Sequence, residues 1–209
     1  MAAEILTIYP NNIDNRKLQS VVSCLRDGGI IIYPTDTVYA IGCDFQNVKA
    51  VEKLAKIKGI KANKSNFSFI CSDLGHIADY ARVSNSAFRL IKRALPGPFT
   101  FIFDATNNVP KILQSAKKEV GIRIPNHTIP QEIVKMLGNP IITTSIKDDD
   151  DIFHEYPNEI EWIFERYQNE VDIIIDGGWC GITPSTVVST LNDTIEVVRQ
   201  GLGDLAEFL

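Results

Sequence analysis

The chain has 209 residues, 44% of them hydrophobic and 22% charged, enough for one domain to bury a core without disulfides or metals. Its formal net charge is -5, which excludes a protein that coats nucleic acid by bulk charge alone. No signal-peptide pattern opens the chain and no apolar run reaches the ~18 residues of a membrane span, so a cytoplasmic protein is expected.

In chain order, the first element is a helix over 13–27. Leu18, Val21, Val22 and Leu25 repeat at helical spacing, and Gly28-Gly29 forms its stop. The run Ile30-Ile31-Ile32-Tyr33 between glycine and proline predicts a buried strand. Asn47 is placed to cap a second helix with Val48, Val51, Leu54 and Ala55 on its apolar face and Gly59 at its end. A strand follows at 67–71, then an amphipathic helix at 85–95 that Pro96-Gly97-Pro98 stops. Further strands are expected at 99–103, 120–124, 141–145, 171–175, 185–190 and 194–199, with helices at 129–137 and 157–169. Alternating strand and helix signals without a repeat or linker predict one α/β domain, 1–209. Cys24, Cys43, Cys71 and Cys180 form no C-x-x-C pair and no His sits at metal spacing beside them. They read as free buried thiols, and no metal site is expected.

Charge is unevenly spread. Lys49, Lys53, Lys56, Lys58, Lys61 and Lys64 crowd one stretch, while Asp148 to Asp151, Glu155, Glu159, Glu161 and Glu165 crowd another. Lysines three and four apart share a helix face, so Lys53, Lys56, Lys58 and Lys61 read either as a solvated face or as a phosphate-binding edge.

The chemistry concentrates at strand ends. The strand at 30–33 runs straight into Pro34-Thr35-Asp36-Thr37, where two hydroxyls and a carboxylate can hold an amino acid or a phosphate; the competing reading is a polar turn. Arg123 lies inside the apolar strand Gly121-Ile122-Arg123-Ile124, where a guanidinium is costly without partners. His127 reads as a structural hydrogen-bonding residue. Thr143-Thr144-Ser145, Ser185-Thr186 and Arg199-Gln200-Gly201 supply more hydroxyls and a cation at strand ends. Together they suggest one pocket suited to a nucleotide and a small zwitterion. Walker A, G-x-G-x-x-G, nucleophile-elbow and H-E-x-x-H patterns are all missing.

These residues resemble the YrdC/YciO family. Tyr33-Pro34-Thr35-Asp36-Thr37-Val38-Tyr39 is the most specific segment. Pro96-Gly97-Pro98-Phe99-Thr100, Val120-Gly121-Ile122-Arg123-Ile124-Pro125, Thr144-Ser145, Ser185-Thr186-Val187-Val188 and Arg199-Gln200-Gly201 follow in the family's order. The resemblance spans about 13–203. Asn66-Phe67-Ser68-Phe69-Ile70-Cys71 and Ser86-Ala87-Phe88-Arg89-Leu90 look closest to the YciO branch.

The resemblance implies a twisted, open, mixed α/β sheet with helices and a large concave cavity. It implies that L-threonine, bicarbonate and ATP, with Mg2+, give threonylcarbamoyl-AMP and pyrophosphate for N6-threonylcarbamoyladenosine in tRNA. By position, Lys58 and Lys61 would be catalytic. Thr35, Thr37, Arg123, Ser145 and Ser185 would hold threonine, and Lys58, Thr144, Lys147 and Arg199 the nucleotide. The alternative is a protein of the YciO branch that binds double-stranded RNA or tRNA with little synthase activity. Lys53, Lys56, Lys64, Arg89, Lys92 and Arg93 would then contact phosphates. The chain departs from the family pattern twice. Lys58-Gly59-Ile60-Lys61 lacks the Arg of Lys-x-Arg, and Ser145-Ile146-Lys147 lacks the Asn of Ser-x-Asn. Asp148 to Asp151 replace a Ser/Pro-rich loop and would repel a triphosphate.

Overall fold

The computed structural model describes residues 2–60, 67–113, 118–146 and 157–208. The strands are β1 (Glu4–Thr7), β2 (Ile31–Tyr33), β3 (Ala40–Asp44), β4 (Ser68–Ile70), β5 (Ala81–Arg82), β6 (Phe99–Ala105), β7 (Glu119–Arg123), β8 (Ile141–Ser145), β9 (Ile173–Asp176), β10 (Thr186–Ser189) and β11 (Glu196–Arg199). They join one sheet in the order β1-β9-β2-β3-β8-β4-β7-β6-β10-β11, with β5 added along β6. The sheet is mixed. β1 and β2 run parallel to β9, β4 to β7 and β10 to β6, and the other pairs are antiparallel. The expected α/β class with a mixed sheet is what the chain forms.

The helices are α1 (Asn15–Arg26), α2 (Val48–Ile57), α3 (Leu74–Tyr80), α4 (Asn85–Ala94), α5 (Thr128–Leu137) and α6 (Ile160–Tyr167). Side-chain caps start most of them. Asp14 accepts from the Arg16 and Lys17 amides, Asn47 from Ala50, Asp73 from His76, Ser84 from Ala87 and His127 from Ile129. Gly28 and Gly138 follow α1 and α5 at φ +88° and +86°, the left-handed stop expected of glycine. On α2 the buried face is Ala50, Val51, Leu54 and Ala55; Val48, read as apolar-facing, is 48% exposed because it begins the first turn beyond the sheet. The helix expected over 157–169 is shorter, at Ile160–Tyr167. Four elements lacked a sequence signal: β1, β3, α3 and β5.

Alternating side chains divide the sheet into two faces. One carries Ile32, Ile41, Ile142, Phe69, Ile122, Phe101 and Val188 in a core with the apolar faces of α2, α3, α4 and α6. Along β6, Phe99, Phe101 and Phe103 follow one another with ring centroids 5.8 and 6.3 Å apart. The other face carries Ile31, Tyr33, Ile141, Ile173 and Ile175, packed under α1 and α5. These two helices cover only the β1-β9-β2-β3 half and its margin. The remainder of that face, over β4, β7, β6 and β10, stays open.

All four cysteines are free, three buried and Cys24 half-buried, as expected. Burial pushes the Cys24 and Cys180 thiols up to about 11. Phe101→Ala is expected to cost about 3–5 kcal/mol, the range for emptying a buried ring site, measured as a lowered urea midpoint at constant slope.

Candidate functional site

The open part of the second face is the floor of a concavity of about 400 Å3. Small and polar side chains make it hollow. Thr143, Ser68, Gly121 and Ile102 occupy one row across β8, β4, β7 and β6, with Thr100, Thr144, Ser145, Ser185 and Val187 around them. Gly121 is the close approach at the centre. A Cβ there would meet Ser68 Oγ at 2.9 Å and Thr100 Cγ2 at 3.6 Å. Larger residues along this row would fill the space that α1 and α5 leave uncovered.

The hydroxyls are oriented by partners. Tyr33 lies fully buried beneath the floor and donates to Thr143 Oγ1 at 2.6 Å, while Thr143 donates to the Ile41 carbonyl at 3.2 Å. Thr143 therefore keeps acceptor capacity toward the pocket. Burial raises the Tyr33 hydroxyl, so Tyr33 is a standing donor. Thr100 Oγ1 and Ser185 Oγ pair at 2.8 Å. Arg199 Nη2 donates to the Ser185 carbonyl at 2.7 Å and lines the same wall. Gly201 lets this corner close, because a Cβ there would fall 2.3 Å from the Pro184 carbonyl.

Arg123, at the end of β7, is 7% exposed and lines the pocket. Its Nη2 forms a buried ion pair with Asp36 Oδ1 and donates to Thr37 Oγ1 at 2.7 Å and Thr35 Oγ1 at 3.3 Å. Asp36 Oδ2 accepts from the Asn126 amide at 2.9 Å. Thr35 spends its proton on the Val38 carbonyl at 2.6 Å and accepts from the Thr37 amide at 3.1 Å. The other end of the guanidinium is different: Arg123 Nε is buried without a hydrogen-bond partner. A buried unpaired donor costs about 1–3 kcal/mol.

The sequence-selected residues thus fall into three groups. Arg123, Thr144, Ser145, Ser185 and Arg199 line one pocket. Thr35 and Thr37 sit behind it, buried against Arg123. Lys58 caps the C-terminus of α2 and is absent from the lining; Lys53 and Lys56 are exposed on α2, and Arg89, Lys92 and Arg93 on α4. Both helices pack on the opposite face of the sheet. Nor do the lysines form one helical face: α2 ends at Ile57, and Lys53 is paired with Asp172 at 2.8 Å. Lys61, Lys64, Lys147 and the acidic run at 148–151 lie outside the described residues. Sequence reasoning missed Ser68, Thr100 and Gly121. Their signal is small or hydroxyl residues at alternate positions of three strands.

His127 is structural, as expected. Its Nδ1 accepts from the Ile129 amide at 3.3 Å at the start of α5. Burial, opposed by nearby Asp36 and reinforced by Arg123, lowers its pKa from 6.5.

The described residues lining the pocket combine hydroxyls with two guanidinium groups, Arg123 and Arg199, and one carboxylate, Glu119. Such a pocket defines an α/β protein with a polar, hydroxyl-lined hollow on an uncovered sheet face. The chain matches the Sua5/YciO/YrdC family model, described as telomere recombination, over residues 23–201, and it belongs to this family. It is 38% identical over 208 residues to Escherichia coli K12 "Uncharacterized protein YciO", covering 99% of this chain and 100% of that one. The crystal structure of E. coli YciO superposes with a TM-score of 0.91 at 36% identity, covering 99% and 100% of the two chains. A putative threonylcarbamoyl-AMP synthase of Methanocaldococcus jannaschii is 34% identical over 202 residues, 95% of this chain and 93% of that protein. P. abyssi Sua5 complexed with L-threonine shares the fold, with a TM-score of 0.85 at 24% identity over 94% of this chain and 57% of that one.

Two outcomes follow. Asp36→Ala leaves Arg123 buried and unpaired and is expected to cost about 3–5 kcal/mol, with Asp36→Asn costing less; urea denaturation reads both. His127 contributes stability that is complete above its unfolded pKa near 6.5 and is lost as pH falls below it, because the unfolded chain takes up the proton first. His127→Asn, which keeps the cap acceptor, should flatten this part of the Tm-against-pH curve.

Proposed function

We propose that the chain is a threonylcarbamoyl-AMP synthase type of nucleotidyltransferase, serving N6-threonylcarbamoyladenosine formation in tRNA. The observation that carries this reading is the hydroxyl-lined pocket in which Arg123 keeps one buried, unpartnered N–H. Membership of a family whose M. jannaschii relative bears the synthase name supports it.

The threonine amine adds to the carbon of bicarbonate, and water leaves to give N-carboxythreonine. A carbamate oxygen then attacks the α-phosphorus of ATP, the α–β anhydride bond breaks, and pyrophosphate departs. Positioning and charge stabilisation dominate such a transfer. In this assignment Arg123 Nε takes a threonine carboxylate oxygen. Ser145 and Thr144 flank the amino acid and phosphate, Ser185 lines the wall between the two ligands, and Arg199 contacts the nucleotide. Thr35, Thr37 and Asp36 hold Arg123 in place.

Among the described residues no cluster of acidic, His or Cys side chains suits a metal ion by itself. Glu119 is the acidic side chain in the lining. Mg2+ would therefore be held chiefly by the triphosphate oxygens, and it would supply charge neutralisation.

The RNA-binding alternative without turnover draws on Lys58, which is absent from the lining, and on the missing Arg and Asn. One assay separates the readings. Protein, ATP, Mg2+, threonine and labelled bicarbonate should release pyrophosphate and a labelled adenylate, each dependent on threonine. No threonine-dependent product rejects the synthase. Gly121→Val, which fills the floor, should weaken threonine and ATP binding at least about tenfold in calorimetry by lost space. Unchanged binding would remove the pocket from the proposal.

A further inference from the structure

Beneath the pocket floor lies a hydrogen-bonded pair to which the reaction gives no task. Tyr33 is fully buried, and its Oη donates to Thr143 Oγ1 at 2.6 Å. Its ring packs with Ile31, Ile141 and Ile173, where a phenylalanine would pack as well. The phenolic oxygen therefore has a purpose other than filling the core.

The pair spans β3. Tyr33 on β2 stands opposite Ala40, and Thr143 on β8 stands opposite Gly42. Both β3 residues are small. A Cβ on Gly42 would fall 3.3 Å from Tyr33 Cε1 and 2.6 Å from the Ile142 carbonyl. The ring thus passes over a bare α-carbon, and its hydroxyl arrives at a side chain of the pocket lining.

Thr143 then has little freedom. A threonine hydroxyl carries one proton and two lone pairs. The proton goes to the Ile41 carbonyl at 3.2 Å, and one lone pair takes the Tyr33 proton. Turning the Thr143 proton into the pocket would set a lone pair against the Ile41 oxygen. One lone pair is left, on a residue that lines the hollow and is 5% exposed. The floor at this point accepts and does not donate.

The ligand group that fits is a neutral donor. Burial raises the Tyr33 hydroxyl, while its bond to Thr143 and the charge of Arg123 oppose the rise. Arg123 is therefore near enough to act on this pair. An ammonium placed on Thr143 would feel the same positive charge, whereas an alcohol would not. With the carboxylate of the amino acid assigned to Arg123, the group without a partner in the pocket is the β-hydroxyl of threonine. A buried acceptor left unpaired by an analogue lacking that hydroxyl penalises the analogue.

We infer that Thr143 reads the β-hydroxyl of the amino acid and that Tyr33 is a positioning residue acting through it. This rests on the reading of the pocket as an amino-acid site, and it narrows the substrate class to β-hydroxy α-amino acids. Tyr33 touches no ligand. It fixes which way the Thr143 oxygen faces.

The test is calorimetry of full-length protein with threonine, valine, serine and alanine, which needs no turnover. Wild type should bind threonine about tenfold tighter than valine, and serine about tenfold tighter than alanine, the worth of one buried hydrogen bond. Thr143→Val should bring both ratios to about one, and Thr143→Ser should preserve them. Tyr33→Phe should lower both ratios about threefold. In the Thr143→Val background, Tyr33→Phe should change neither ratio, because its effect passes through Thr143. This double variant removes both buried partners together, so its fold stays close to wild type in stability. Ratios untouched by Tyr33→Phe, or lowered equally in both backgrounds, overturn the positioning role. Wild type that binds valine as well as threonine, or binds none of the four, overturns the assignment. So does an equal loss for all four with Thr143→Val, since the acceptor then holds the amine that they share. Selective binding without adenylate formation keeps this inference and rejects the synthase. Adenylate formation with ratios that neither substitution moves does the opposite.

Discussion

The site depends on the buried ion pair between Asp36 and Arg123. Asp36 belongs to the turn between β2 and β3, and Arg123 ends β7; β3, β8 and β4 lie between β2 and β7. The turn must lean across three strands to make the pair. It brings Thr35 and Thr37 with it, and both hydroxyls close on the same guanidinium nitrogen. Two features that are each awkward alone, a carboxylate at a strand end and a guanidinium inside an apolar strand, satisfy each other. On the same guanidinium, Nε–H stays buried without a partner. That is preorganisation: the cost of fixing the donor is met in folding, before any ligand arrives.

The pocket exists for a complementary reason. Among the described residues six α-helices cover the sheet, but only α1 and α5 lie on the second face, and they pack over the Ile31, Tyr33 and Ile173 end. Across β4, β7 and β6 a bare floor of bulky residues would be an exposed apolar patch. The chain instead places Ser68, Gly121, Thr100 and Thr143 there. The same strands are dense on their other face with Phe69, Ile122, Phe101 and Ile142. Stability and site are therefore separated by strand alternation: one face holds the fold, and the other is free to hold a ligand.

Much of this was legible in the sequence because it was local. Helical spacing with Asn47 as a cap and Gly28-Gly29, Gly59 and Pro96-Gly97-Pro98 as stops marks α1, α2 and α4 to within a few residues, and a helical pattern marks α5. β3 escaped because Ala40-Ile41-Gly42-Cys43-Asp44 is buried on both faces, so it shows no alternation, and three of its residues disfavour strands. Gly42 is there because Ile142 O, Ile141 and Tyr33 crowd its α-carbon. α3 is seven residues with only Ile77 and Tyr80 buried, too short for a periodic signal. In the site, the kinds of residue were legible, but not their pairings. Nothing local says that Arg123 spends Nη2 on Asp36, 87 positions away. The lysines misled for the same reason: spacing along a helix is visible, while the side of the sheet on which that helix packs is not.

That last point bears on charge. The cations of α2 and α4 stand on the face opposite the pocket, so they do not directly offset charge on a ligand inside it. Within the described lining, Arg123 is already neutralised by Asp36, and Arg199 faces a wall that also includes Glu119. The pocket is thus rich in directional donors and poor in net positive charge. Such a site discriminates by hydrogen-bond geometry more than by Coulomb attraction. It suits an amino-acid carboxylate and a phosphodiester-level adenylate better than a bare triphosphate. In the proposed reaction the charge of ATP would be carried largely by an accompanying Mg2+. The loss of the family Arg and Asn points the same way: under the proposed function, the amino-acid end would be held through an internally paired arginine, with less reliance on a cationic cradle for the phosphates.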